Sequence, residues 1–131
     1  MKTLVVEDDL TSRLVLQEML KEYGSVDIAV NGRESVELVK VALANRKPYD
    51  LICMDIRMPE MDGQEALKEI RNLEAGTDAE SVNPARVVMI TMLDDGQNIV
   101  KAFREQCDGY LVKPIDKTKL SECLKTCGLV E

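Results

Sequence analysis

The sequence contains no histidine, and this absence removes several kinds of chemistry from consideration. Such a chain cannot supply a histidine nucleophile, build a histidine metal site or Ser-His-Asp triad, or carry a phosphohistidine of its own. The charge is also one-sided, because 24 acidic residues outweigh 17 basic ones and give a formal net charge of −7. An acidic chain with no basic stripe disfavours direct binding to DNA, RNA or anionic lipid.

Long apolar runs are lacking as well. No apolar stretch approaches the roughly 20 residues that a membrane-spanning helix needs. The first residues lack the basic and long apolar segments of a signal peptide. We therefore expect a cytoplasmic protein with no membrane partner.

The four cysteines form no C-x-x-C pair, which favours reduced thiols. Cys123 and Cys127 stand four residues apart on a predicted helix. Small buried apolar side chains are the favoured interpretation of this pair, and a metal site is the alternative.

The length of 131 residues predicts a single domain over 1–131, and a hydrophobic content of 45% argues against disorder. Short apolar runs alternate with longer amphipathic stretches, and continuous apolar runs are typical of strands buried on both faces. The runs are Leu4–Val6, Val26–Val30, Leu51–Met54, Val87–Ile90 and Tyr110–Val112.

Helix signals lie between these runs. Asn31, Asp62 and Asp94 each stand three residues before a Glu or Gln, which is the pattern of a capped helix start, and Asp116 is the predicted cap of the last helix. Residues Glu74–Pro84 are predicted to form a surface loop.

The alternation of apolar runs and helical stretches indicates an α/β fold of five β-α units. A flavodoxin-like, doubly wound parallel sheet of order 2-1-3-4-5 is the leading topology.

Charged and hydroxyl side chains stand where the predicted strands end. Because ligands of such sheets bind beyond the carboxyl ends of the strands, these side chains are expected to share one rim. Converging carboxylates repel one another unless a cation offsets them, and Mg²⁺ prefers oxygen ligands. An anionic phosphoryl group could then bridge the metal, the Lys113 ammonium and the Thr91 hydroxyl, which is the charge arrangement that phosphoryl transfer requires. The residues are Glu7, Asp8 and Asp9 after the first strand, Asp55 after the third, Thr91 after the fourth and Lys113 after the fifth.

Each residue also has a plainer interpretation by itself. Asp9 and Asp62 are expected to be helix caps rather than ligands. Thr91 alone could be an ordinary strand end and Lys113 a solvated lysine. The prediction of a functional site depends on the placement of all these residues at one rim of the sheet.

The chain resembles the receiver (response-regulator) family over nearly its whole length. The strings that carry the resemblance are Leu4–Asp8, Met54–Gly63, Ile90–Thr91 and Gly109–Pro114. The resemblance implies a phosphorylation switch in a two-component phosphorelay. Its expected phosphodonor is a sensor histidine kinase or histidine phosphotransfer protein, and its output partner is unknown.

The resemblance also implies roles for individual residues. Asp55 is the phosphoacceptor, and Thr91 and Lys113 contact the phosphoryl oxygens. Glu7, Asp8, Asp55 and the backbone carbonyl of Arg57 hold Mg²⁺. Tyr110 is the switch aromatic that moves with Thr91 and alters the face made by the fourth helix, fifth strand and fifth helix. The Lys113–Pro114 bond is expected to be cis.

The sequence departs from the family pattern at Met92, where small residues are usual after the threonine. Shielding of the phosphorylation site and packing against a neighbouring loop are the two interpretations of this methionine. We expect a switch that promotes its own phosphorylation and dephosphorylation rather than an enzyme. It is expected to be a monomer or a weak phosphorylation-dependent dimer.

Other functions remain as alternatives. A flavodoxin would need a Ser/Thr/Gly-rich loop after the first strand, and a Mg²⁺-dependent phosphatase with an aspartate nucleophile would need a second acid where Arg57 stands. A pseudo-receiver adaptor usually lacks part of the site. A stand-alone receiver is expected, with a receiver fragment of a longer regulator or hybrid kinase as the alternative.

Overall fold

A computed structural model describes residues 1–58, 61–77, 83–92 and 107–131. Five parallel strands form one sheet in the order β2-β1-β3-β4-β5, which confirms the predicted topology. The strands are β1 (Lys2–Val6), β2 (Ser25–Ala29), β3 (Leu51–Asp55), β4 (Arg86–Thr91) and β5 (Gly109–Val112).

The helices begin where the capping pattern predicts. Asp9, Asn31, Asp62 and Asp116 each accept a hydrogen bond from the backbone amide three residues further on, at 2.8–2.9 Å. Such a cap satisfies an amide that has no partner within the helix. The predicted cap at Asp94 and most of the predicted fourth helix lie outside the described residues. The described helices are α1 (Leu10–Leu20), followed by a 3₁₀ turn (Lys21–Tyr23), α2 (Gly32–Ala44), α3 (Gly63–Ala75) and the C-terminal helix (Lys117–Thr126).

The sheet separates two apolar clusters, as expected for strands buried on both faces. One cluster packs Val6, Ile52 and Met54 against α2 and α3, and the other packs Val5 and Leu51 against α1 and the C-terminal helix. Successive residues of β1 and β3 therefore contribute to opposite clusters. Helices therefore cover both faces of the sheet beneath the carboxyl ends of its strands.

Three local predictions need correction. Helix α3 continues through Ala75, so the predicted loop starts later than Glu74. The second strand ends at Ala29 rather than Val30, because the chain must turn there to place Asn31 at the start of α2. Cys127 is buried as predicted, but Cys123 is only half-buried.

Candidate functional site

Four strand ends place their side chains at one rim of the sheet. Glu7 and Lys113 lie one residue beyond β1 and β5, and backbone hydrogen bonds hold both, from Glu7 to Ala29 at 3.1 Å and from Lys113 to Thr91 at 2.9 Å. Asp55 and Thr91 are the last residues of β3 and β4. The sheet thus extends its own hydrogen bonding into the site, which fixes where these side chains start.

Three carboxylates and one ammonium meet at this rim. One oxygen from each of Glu7, Asp8 and Asp55 lies within 4.8 Å of the other two. The Nζ atom of Lys113 lies 2.9 Å from Glu7 Oε1 and 3.3 Å from Asp55 Oδ2. Four of the residues that the sequence predicts for metal binding and phosphoryl contact, Glu7, Asp8, Asp55 and Lys113, are therefore neighbours in space.

Burial perturbs the acids of the rim. Glu7 is fully buried, and loss of solvation raises its pKa; the hydrogen bond to Asp55 adds to this shift, and Lys113 opposes it. Loss of solvation also raises the pKa of Asp8, and its hydrogen bond to Glu7 acts in the same direction. Burial lowers the pKa of Lys113, but the two carboxylates that it contacts outweigh this and the net shift is upward. One ammonium therefore does not offset three carboxylates.

Backbone groups orient the two buried carboxylates. The Arg57 amide donates to Asp55 Oδ1 at 3.1 Å, and the Asp9 amide lies 3.4 Å from Glu7 Oε2. Asp9 itself caps α1, as predicted.

Two residues that support the site were missed by the sequence reasoning. Arg13 lies near the start of α1, and its guanidinium donates a hydrogen bond to the Glu7 backbone carbonyl at 3.2 Å. A Cβ at Gly63 would overlap the backbone carbonyl of Asp55, so only glycine lets α3 start this close to β3. A basic residue near an acidic strand end is too common a pattern to identify Arg13.

The predicted switch residues occupy the β4–β5 side of the rim. The Thr91 hydroxyl donates to the Met92 carbonyl at 3.2 Å, and Thr91 is almost fully buried. Tyr110 pairs with Met89, two residues before Thr91, so the register places Tyr110 and Thr91 on the same face of the sheet. The Lys113–Pro114 bond is cis, as predicted.

A groove of about 400 Å³ opens beside these residues, between α1 and the segment after β5. Its lining includes Glu7, Lys113, Val15 and Met92. Met92 is 49% exposed. Met92 therefore stands on the approach to the acidic rim.

The sequence matches the family described as the response regulator receiver domain over residues 3–125. The chain belongs to this family, the domain class of two-component signalling. Chemotaxis protein CheY of Halobacterium salinarum is 34% identical over 124 residues, covering 94% of this chain and 92% of that protein.

Two further proteins are similar to this chain. Transcriptional regulatory protein ZraR of Klebsiella oxytoca is 38% identical over 119 residues, which is 89% of this chain but 24% of that protein. The chain thus spans about a quarter of the length of ZraR. The receiver domain of histidine kinase CKI1 from Arabidopsis thaliana, complexed with Mg²⁺ and BeF₃⁻, superposes with a TM-score of 0.80 at 31% identity, covering 95% of this chain and 89% of that one.

Within the described ranges, every helix is too short or too polar to cross a membrane.

Proposed function

We propose that Asp55 accepts a phosphoryl group from a phosphohistidine on a sensor histidine kinase or histidine phosphotransfer protein, in a reaction that requires Mg²⁺. The observation that carries this proposal is the convergence of Asp55 with two further carboxylates within 4.8 Å and with the Lys113 ammonium at 3.3 Å. Phosphoryl transfer depends chiefly on such positioning and charge.

The donor set fits a hard divalent cation. All three side chains offer carboxylate oxygens, which Mg²⁺ prefers. Loss of solvation and neighbouring acids raise the pKa values of Glu7 and Asp8, and a bound cation would favour the charged forms of both. Asp8, Asp55 and the Arg57 carbonyl would hold the ion, with Glu7 binding directly or through water. When bound, the ion supplies positive charge against the phosphoryl oxygens.

The acceptor chemistry belongs to the Asp55 side chain. One of its oxygens attacks the phosphorus, a P–O bond forms as the P–N bond breaks, and the departing electron pair stays on the donor imidazole. The Arg57 amide holds the carboxylate from one side at 3.1 Å, so Asp55 meets the donor in a fixed orientation. Asp55 is only 7% exposed, which limits the access of water that would compete with it for the phosphoryl group.

Lys113 and Thr91 act on the product in this proposal. Lys113 pairs with Glu7 and Asp55 before transfer, and the new phosphoryl oxygens, carrying roughly −1.5 to −2 charges, would draw the ammonium toward them. Thr91 would turn its hydroxyl from the Met92 carbonyl to a phosphoryl oxygen. That rotation changes the space around Thr91.

The change at Thr91 is proposed to pass to Tyr110, on the same face of the sheet. Tyr110 would move inward and alter the surface of β5 and the C-terminal helix, where an unidentified output protein binds. The phosphoryl group shifts this equilibrium only as far as it favours one state. Amide exchange should therefore change in β5 and the C-terminal helix on phosphorylation, whereas a change confined to α1 would contradict the route.

We further propose that residues 1–131 form one receiver domain that acts in the cytoplasm through protein contacts, as a switch rather than a turnover enzyme. Because the chain covers a quarter of ZraR, a longer regulator or hybrid kinase is an equally suitable setting for it.

Intact mass after incubation with Mg²⁺ and acetyl phosphate tests the acceptor. The parent should gain one phosphoryl mass and Asp55→Asn should gain none. Asp9→Asn is the matched control, because Asn also caps a helix and Asp9 lies at the same rim. Equal labelling of Asp55→Asn and the parent would remove Asp55 from this role.

A further inference from the structure

Two thiols outside the phosphorylation site converge on one point of β5. Cys123 and Cys127 stand one turn apart on the C-terminal helix, close enough for each thiol to affect the pKa of the other. A Cβ at Gly109 would lie 3.4 Å from Cys123 Sγ and 3.6 Å from Cys127 Sγ. The missing side chain of Gly109 leaves the space in front of both sulfurs open.

The pair can be reached from outside. Cys123 is half-buried, and a groove of about 550 Å³ runs along it, lined also by Gly109, Lys119 and Glu122. Cys127 is more buried, and its thiol lies 3.9 Å from the Asp108 carbonyl. A small ion can therefore reach the sulfurs without entering the core.

Helix geometry favours a bridging atom over a disulfide. Residues four apart on a helix have Cβ atoms about 5–6 Å apart. A disulfide needs about 3.5–4.5 Å. An atom placed between the sulfurs removes that limit and leaves the last helical turn intact.

We propose that Cys123 and Cys127 form a two-thiolate site for a soft cation of low coordination number, of the Cu(I) class. Thiolates select soft cations of this kind. Zn²⁺ fits poorly because it takes four ligands and the chain has no histidine. Cys53 does not complete the set, since the acidic rim is the only group of three or more metal-ligating side chains found among the described residues.

Binding exchanges protons for the ion without electron transfer: one Cu(I) forms two S–Cu bonds and two thiol protons leave. Burial raises the pKa of Cys123 to about 12, so only a strongly thiophilic ion displaces that proton at neutral pH. Burial also raises the pKa of Cys127, and Asp108 adds to this shift. Arg86, which donates from Nε to the Cys127 carbonyl at 3.1 Å, opposes it. The guanidinium partly offsets the negative charge of the complex.

Competition against bicinchoninate under anaerobic, reducing conditions tests the site with Cu(I) itself. The parent should take up one equivalent. Cys123→Ser and Cys127→Ser should each bind more than about 100-fold more weakly, a larger loss than disturbing a supporting contact gives. Cys107→Ala is the matched control, because Cys107 lies in the cluster on the other face of the sheet and should leave binding unchanged.

X-ray absorption of the copper in the loaded parent supplies a readout that does not depend on the variants. Two sulfur ligands and no nitrogen or oxygen ligand are expected. The proposal is overturned if the parent takes up no Cu(I), if the absorption shows other ligands, if either serine variant binds like the parent, or if Cys107→Ala loses binding equally.

Discussion

The substitution Lys113→Met tests how strongly the Lys113 ammonium offsets the carboxylates of the acidic rim in the unphosphorylated protein. The substitution keeps most of the aliphatic stem and removes the ammonium that lies 2.9 Å from Glu7 and 3.3 Å from Asp55. Hydrogen bonds to charged groups contribute roughly 1.5–3 kcal/mol each. The Lys113 side chain is 26% exposed, so solvent reduces the effect of the two contacts. We expect the free energy of unfolding to fall by about 2–4 kcal/mol at neutral pH without Mg²⁺.

Urea denaturation measures this loss. For a slope of about 2 kcal/mol per molar urea, the midpoint should fall by roughly 1–2 M. Lys40→Met is the control, because it removes the same charge from an exposed position on α2.

The pH dependence separates charge from packing. The pKa of Lys113 is raised, so its contribution is complete below its ordinary value of 10.5 and declines only above it. The pKa of Glu7 is also raised, so Glu7 takes up a proton as the pH falls and no longer needs the ammonium. The difference between parent and Lys113→Met in the free energy of unfolding should therefore begin to narrow, as the pH falls, before the ordinary glutamate pKa of 4.5 is reached. Equal midpoints for Lys113→Met and Lys40→Met at neutral pH would refute this reasoning.

The remaining predictions concern the metal, the phosphorylation rates and one backbone position. Asp8→Ala should remove most of the rise in melting temperature that Mg²⁺ gives the parent by mass action, and an unchanged rise would argue against Asp8 as a ligand. Met92→Ala should gain and lose phosphate faster in timed mass measurements, because Met92 lines the approach to the rim; indistinguishable rates in both directions would contradict shielding. Arg46→Gly should stabilise the fold against urea by about 0.5–1 kcal/mol, because Arg46 has a φ of 57°, and no gain would show that this conformation is unstrained.

The rim could be predicted from the sequence because Glu7, Asp55, Thr91 and Lys113 each stand directly after an apolar run, and Asp8 follows Glu7. Parallel strands bring their carboxyl ends to one edge of the sheet. The strand pattern alone therefore predicts that Glu7, Asp55 and Lys113 lie close together. The roles of the Arg57 carbonyl and of Tyr110 follow from the family resemblance and stay predictions.

Contacts between distant residues could not be predicted in this way. Arg71 joins Glu74 at 2.6 Å and Asp108 at 3.0 Å, and Glu74 accepts the Ala85 amide at 2.6 Å. The Arg71–Glu74 pair is local, but Arg71–Asp108 and Glu74–Ala85 join residues 37 and 11 apart and follow no local pattern. The polar residues from Glu74 onward predicted a loop. In the structure, tertiary contacts keep Glu74 in α3 instead.

The thiol pair shows a second limit. Helical spacing places Cys123 and Cys127 on one side of a helix, but it does not show that both sulfurs meet above Gly109. That meeting depends on how the C-terminal helix packs on β5, which periodicity does not determine.

The most direct test of the central claim is to identify the side chain that carries the phosphoryl group. The parent would be phosphorylated with acetyl phosphate and Mg²⁺, then treated with borohydride, which reduces an aspartyl phosphate to homoserine, and its peptides sequenced by mass spectrometry. We predict homoserine at position 55 alone. Homoserine at Asp8 or at any other aspartate in place of Asp55, or no reduced residue in phosphorylated protein, would contradict the account.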